Sequence, residues 1–474
     1  MSLFKTRASS IFTAACLSTL IAVFLTSLLL GANYLSAKLP RPIIHERIVK
    51  AFSNEDLVNA VHLRTNTKQG AHQYNDCLIL AMAFDDRPAP ALRALSPVTP
   101  PVMLDNNPCA YLKSISSGSE PVPLSPAAFY HRYLHGQVAV TALALQWLDL
   151  PTVRIVYDAF AFSILTLLVA SNLILLRSTL VRIHDQASRA QYIQQASRHG
   201  FLLLLSCVLV LFYSVQFYGM SLGHGPSDAV VYLYLLTATY VNFSAWRSWQ
   251  TLTIHAAFGV FTAYFELFTG GVPLGLSIIF LCYASLAVGP HRTEIWWLGC
   301  LSAGAFLCAF FVAVITKLLV AGSFFGYGEV FTNFLSQLQF WTEGNRVGIF
   351  DAAIALAQSA HYLGAGWRLL GVSLLGFSGF AFAYSLVVIL KRLRSGGNWE
   401  CPTLLVLSYA SIILWYVVFR KHAYQHNFFM IRISVMLITS SLLLLALASR
   451  NQLVGLLRSL AALADAPTKL QRTS

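Results

Sequence analysis

Acidic side chains are the scarcest chemical resource in this chain. Nineteen aspartates and glutamates stand against 32 lysines and arginines in 474 residues, and charged residues total only 11%. A soluble globular domain carries about a quarter of its residues as charges, so a water-exposed fold is excluded. The eight cysteines include no Cys-x-x-Cys spacing, which leaves no sequence pattern for structural zinc. No block of lysine and arginine interleaves with aromatics, so nucleic acid is not an expected partner. No internal repeat relates the halves of the chain, as it does in many transporters.

What the chain does have is apolar surface: 57% of residues are hydrophobic and the mean hydropathy is +0.63. The expected fold class is an all-α integral membrane protein in contact with membrane lipids. A helix needs about 20 mostly apolar residues to cross roughly 30 Å of hydrocarbon, and about ten such stretches can be placed. They start near Ser10, Thr152, Gly200, Ala229, Thr251, Gly271, Ile295, Arg368, Pro402 and Phe428. The first follows Lys5 and Arg7, as a secretory signal would. Its run from Ser10 to Ala32 exceeds a signal core of roughly 7–15 residues, so 1–32 reads as an uncleaved anchor; "YLSA" before Lys38 is the competing cleavage-like string.

Basic residues are retained on the cytoplasmic side of short loops. Lys5 and Arg7, the arginines at 177, 182, 189 and 198, Arg247, Arg292, the group Lys391, Arg392 and Arg394, and the tail at 450–474 fall on one side. Ten spans then put both termini in the cytoplasm. The segments 33–150 and 321–367 lie outside, flanking transmembrane blocks 151–320 and 368–449. The first outer segment is far longer than a connector requires, and such loops are usually functional or disordered. Within it, "NEDLVNAVHL" and "YNDCLILAMAF" read as short helices, and the proline-rich stretch from Asp86 to Pro108 reads as irregular surface. Cys77 and Cys109 both fall there, where an oxidising compartment would let them pair.

Ionisable groups near a membrane are costly and usually face a cavity or a partner. The outer side collects Asp76, His131, Arg132, His135, His224, Asp228, Glu266, Glu343, Arg346, His422 and His426, whereas the cytoplasmic loops hold no comparable group. In "FYHRYLHG", His131 and His135 are four residues apart, as are His422 and His426. On one helix face each pair either ligates a metal or anchors the chain at the interface. Arg132 binds lipid headgroups generally or one phosphate in particular, with Tyr133 at the interface beside it. Glu266, before the helix break Gly270, Gly271 and Pro273, either caps a turn or points into a cavity. Asp76 either caps the helix that follows or acts chemically.

The order of "HQYNDCLILAMAF", "FYHRYLHG", "YFELFTGGVPLG" and "RKHAYQHNFFMIR" resembles a group of bacterial multi-pass proteins similar to GT-C glycosyltransferases. The resemblance runs from Gln73 to Arg432. It departs at Leu134, Glu266 and Lys421, where the group carries tryptophan, aspartate and asparagine. It implies a GT-C-like bundle in a bacterial inner membrane, with a large first extracytoplasmic loop of short helices over a cavity. It also implies a lipid-phosphate-linked sugar as donor and a glycan or lipid as acceptor. Asp76 would be the general base and Glu266 the alternate base or a sugar or metal ligand. His131, Arg132, Tyr133, His135, Arg346, His422, His426 and Arg432 would line the substrate site, with the need for a divalent metal ion left open. The competing reading is a polytopic transporter or flippase, for which Lys317 is the main charge inside a span.

Overall fold

The computed structural model describes residues 2–59, 73–100, 107–121, 123–125, 128–182, 189–213, 215–243, 248–266, 270–288, 293–342, 349–362, 368–394, 399–425 and 430–449. All its regular structure among these residues is α-helical. The chain opens with α1 (Ser2–Ala37), then the short helices α2 (Arg41–Ser53), α3 (Gln73–Phe84), α4 (Pro90–Leu95), α5 (Pro108–Ser116) and α6 (Gly136–Trp147). The bundle continues through α7 (Leu150–Arg182), α8 (Arg189–Phe212), α9 (Val215–Gly219), α10 (His224–Tyr240), α11 (Ser248–Phe265), α12 (Gly271–Leu286) and α13 (Thr293–Phe325). It closes with α14 (Tyr327–Thr342), α15 (Ile349–Tyr362), α16 (Arg368–Arg394), α17 (Glu400–Val418), α18 (Arg420–Gln425) and α19 (Ile431–Ala448).

Among the described residues, six helices are long and apolar enough to cross a membrane: α1, α7, α8, α13, α16 and α17. The molecule is therefore a multi-pass membrane protein. Nine of the ten expected starts fall in helices and the tenth, Phe428, lies outside the described residues, but length separates the helices. The 16 residues of α12 rise about 24 Å, short of a roughly 30 Å hydrocarbon core. Helix α10, at 17 residues, is also short, and α11 dilutes its apolar face with Gln250, Thr251, Thr253 and His255.

Several boundaries also move. The first helix extends to Ala37, past the expected end at residue 32. The proline-rich stretch is not wholly irregular: Pro90 starts α4, whose Ala94 and Leu95 are buried. The helix expected at "NEDLVNAVHL" is not formed over residues 54–59, because α2 has just ended at Ser53; the remainder lies outside the described residues. The segment 321–367 is largely helical, taking in the end of α13, then α14 and α15.

The bundle has one large core running through α7, α8, α10 to α13, α17 and α19. The 38–150 segment has a core of its own, in which Ile44, Ile48, Leu80, Leu112 and Leu145 pack with Leu150, Val153 and Leu222 of the bundle. Cys77 and Cys109 form a disulfide in that core, tying α3 to α5. Gly136 brings the segment onto α11: a Cβ there would lie 2.5 Å from the Tyr264 ring, so only glycine permits this approach.

Candidate functional site

The turn 129–136 is held by backbone first. Tyr130 N–H donates to Pro97 O and Thr99 N–H to Ala128 O, each at 2.9 Å, which pairs Val98 with Phe129. Asn33 of α1 donates to Leu134 O at 2.5 Å, and the Tyr264 hydroxyl donates to Asn33 at 2.7 Å. His131 and His135 do not share a helix face. His131 lies in the turn, and His135 has left-handed backbone (φ 63°) as the N-cap of α6. The helix cannot reach back to His131, so four-residue spacing does not make this pair a joint metal-ligand set.

Each group of the turn has a distinct setting. His131 Nδ1 shares a hydrogen bond with Ser96 Oγ at 2.8 Å, and His135 Nε2 with Tyr130 O at 2.8 Å. Burial, reinforced by Lys317 and Arg132, pushes the His131 imidazole down to about 4. Burial followed by Lys317 drives His135 well below the ordinary histidine range, so both rings are neutral near pH 7. The Arg132 guanidinium lies over the Tyr130 ring, 4.9 Å from its centroid. Half-buried Tyr133 packs 5.1 Å from Tyr130. Lys317 of α13 donates to His131 O.

Asp76 is buried in the first turn of α3 and caps nothing locally. Its Oδ2 accepts from Arg154 of α7 at 3.0 Å, and its Oδ1 accepts from Ser221 Oγ at 3.0 Å and Leu222 N–H at 2.8 Å. Burial pushes its carboxyl upward, opposed by Arg154 and by the Leu222 and Ser221 hydrogen bonds. Both oxygens are engaged, so Asp76 is first a clasp between α3 and the bundle.

Glu266, at the end of α11, and Arg432, in α19, form a second buried cluster. Arg432 pairs with Glu266 Oε1, with Asp228 Oδ1 at 3.1 Å, and with Ser227 Oγ at 3.2 Å. The Tyr213 hydroxyl donates to Asp228 Oδ2 at 2.7 Å. Glu266 Oε2 is buried without a hydrogen-bond partner among the described residues. Gly270, left-handed at φ 96°, turns the chain sharply so that α12 begins beside this carboxylate. Arg432, expected at a substrate, is held between two carboxylates.

His422 is buried in α18 and meets Trp341 of α14 edge-on at 4.7 Å. His426 and Arg346 lie outside the described residues. Among the described residues, no group of three or more His, Cys, Asp or Glu side chains is placed to hold a metal ion.

Between α12, α13, α14 and α17 runs an apolar cleft of about 460 Å³, lined among others by Val272, Pro273, Phe310, Leu318, Phe331 and Trp415. Its α13 wall ends at Leu318, next to Lys317, and its α12 wall starts at Val272, just past the Glu266 turn. Sequence reasoning missed Arg154, and it named Asp228 and Lys317 without giving either a role at the site. Lys317 carried a visible signal as a lone cation in an apolar run, and Asp228 one as a member of the outer-side ionisable group; Arg154 gave none without its partner.

These features define a multi-pass helical membrane protein with buried charged clusters and, between α12, α13, α14 and α17, an apolar cleft. Compared with known proteins, the chain matches no family model, no curated protein and no solved structure.

Proposed function

We propose that the protein is a membrane glycosyltransferase of GT-C type. It moves a sugar from a polyprenyl-phosphate-linked donor to an extracytoplasmic glycan or lipid acceptor. In this reading α1, α7, α8, α10 to α13, α16, α17 and α19 are the ten spans of a GT-C-like bundle in a bacterial inner membrane. Both termini face the cytoplasm, and the 38–150 segment covers the site on the outer side.

The observation that supports the proposal is the apolar cleft between α12, α13, α14 and α17, whose lining residues Leu318 and Val272 follow Lys317 and Glu266 closely in sequence. A lipid-linked sugar has the same polarity: a long apolar tail joined to an anionic head. The tail takes the cleft, and the phosphate meets Arg132 and His131. Glu266, through its free Oε2, takes the acceptor proton as the acceptor oxygen attacks the anomeric carbon. Asp76 is the alternate base, ranked second because both its oxygens already accept hydrogen bonds. His135 and Tyr133 support the turn, and His422 and Arg432 support the walls.

The test is the lipid extract of cells carrying Glu266→Gln in place of the wild-type chain. Mass spectrometry should find a polyprenyl-phosphate sugar accumulating, because its consumer is disabled. An unchanged isoprenoid profile for both Glu266→Gln and Asp76→Asn would overturn the proposal. The buried Asp228, Arg432 and Glu266 cluster favours one rival, a transporter that relays charge through its bundle. That rival predicts no accumulated lipid-linked sugar and a saturable water-soluble ligand instead.

A further inference from the structure

Where α1 ends, it meets α2, α3, α4 and α6 around a polar cavity of about 20 Å³, lined among others by Asn33, Ser36, Arg41, Arg93 and His135. Arg41 is only 8% exposed; it donates to Ala83 O at 3.0 Å and to Ser36 O and Ala37 O at 3.4 Å each. Arg93 donates to Ala37 O at 2.7 Å. The Nε of each arginine is buried without a hydrogen-bond partner, and neither arginine forms an ion pair among the described residues. Burial, followed by Arg93, lowers the Arg41 guanidinium to about 10, which leaves it a cation at neutral pH.

The charge around this cavity does not balance. The C-terminus of α1, whose carbonyls accept from both arginines, contributes about half a negative charge. Against it stand two guanidiniums and two helix starts, α2 at Arg41 and α6 at Gly136, and neither start has a side-chain cap. His135 and Val138 put the start of α6 at the cavity wall, and each helix start adds about half a positive charge. The other polar walls are already engaged: Asn33 donates to Ala94 O and Leu134 O, and Ser36 Oγ donates to Ala139 O. Asp85 pairs with Arg87, and exposed Asp86 acts on the two arginines without forming an ion pair.

We infer that this cavity is a chloride site, in which one monatomic anion held by Arg41 and Arg93 fastens the end of α1 to α2, α4 and α6. An anion meets both guanidiniums with charge-assisted hydrogen bonds and supplies the counter-charge that water, a neutral acceptor, does not. Size selects the anion. About 20 Å³ has room for one or two water-sized groups, which suits chloride and excludes a phosphate or a lipid headgroup with its cluster of oxygens. The site is structural and stands apart from sugar transfer. Because Asn33 of the same wall accepts from Tyr264 of α11, chloride here steadies the seat of the 38–150 segment on the bundle.

The experiment melts the purified full-length protein in nanodiscs at fixed ionic strength while sodium chloride replaces sodium gluconate, whose anion is too large for the cavity. The wild-type melting temperature should rise saturably with chloride, the mark of an ion that binds the folded state, and bromide should act alike. Arg93→Gln removes one charge and should raise the chloride concentration at half-effect about tenfold or more, the scale of one charged hydrogen bond. Chloride NMR on the same samples should show line broadening that bromide relieves and inorganic phosphate at equal concentration does not. Melting indifferent to chloride leaves water as the occupant and overturns the inference. A chloride response unchanged in Arg93→Gln also overturns it, because the ion then binds elsewhere. Phosphate displacing chloride better than bromide does overturns the assignment to a monatomic anion. If Arg93→Gln does not fold, anomalous scattering from crystals of the wild type grown in bromide decides: a peak in the cavity supports the site, and no peak there overturns it.

Discussion

Arg154 and Asp76 form a buried ion pair at 3.0 Å between helices 78 residues apart in sequence. The pair is held from both sides, since Arg154 also donates to Asp56 O at 2.8 Å and Asp76 accepts from Ser221 and Leu222. Removing one member strands the other in a low dielectric. Arg154→Met should therefore lower stability by about 3–5 kcal/mol, and the double variant Arg154→Met, Asp76→Leu should recover much of that loss. Thermal melting of the purified protein checks both; a double variant as unstable as the single one would show that the packing, not the charge, had failed.

Glu266→Gln should separate activity from stability. Arg432 keeps Asp228 as its counter-charge, and glutamine keeps an acceptor at the position of Oε1. Transfer should fall about 10²–10⁴-fold, the usual contribution of a general base, while the melting temperature stays close to wild type. Arg432→Met leaves Asp228 and Glu266 facing each other unpaired and should cost about 3–5 kcal/mol of stability. Activity and melting, measured on both variants, give opposite rankings if this assignment holds.

The disulfide should be a stability element of the loop core. Cys77 and Cys109 are 32 residues apart, and closing a loop of that length stabilises by about 4 kcal/mol in the chain-entropy view. Cys77→Ala with Cys109→Ala should lower the melting temperature. Thiol labelling of the denatured, unreduced protein should modify the other six cysteines and spare these two. Eight labelled sites would remove the bridge.

Stability should fall with acid over a defined window. In the folded chain His131 stays neutral down to about 4, whereas its ordinary pKa is 6.5. Between those values the unfolded chain binds the extra proton, so the stabilisation is complete above about pH 6.5 and is lost as pH drops toward 4. The shift corresponds to about 3 kcal/mol at most. Melting curves from pH 7.5 to 4.5 should slope accordingly, and His131→Gln should flatten the slope. His135, displaced in the same direction by burial and Lys317, supplies the part that remains.

The membrane class was legible in the sequence because it follows from composition and run length, which need no tertiary information. The places of α3 and of the break at Gly270 and Gly271 were legible for the same local reason: an apolar run after Asp76, and glycines beside a proline. The helix count was not, because α10 and α12 are apolar yet short, and length alone does not tell a short span from a buried bundle helix. The roles within the site were also hidden. Asp76 and Arg432 looked like free functional groups until Arg154 and Asp228 arrived from distant helices to pair with them. His131 and His135 looked like neighbours on a helix because spacing was read without the left-handed residue that starts α6 only at Gly136.

The most direct test of the account is native mass spectrometry of the gently purified protein. A co-purified polyprenyl phosphate, with or without its sugar, should appear on wild type and be lost from Arg132→Ala, while Asp76→Asn, if folded, retains it. A protein that carries no isoprenoid species, or carries one equally well after Arg132→Ala and after a bulky substitution in the cleft such as Leu318→Trp, would contradict it.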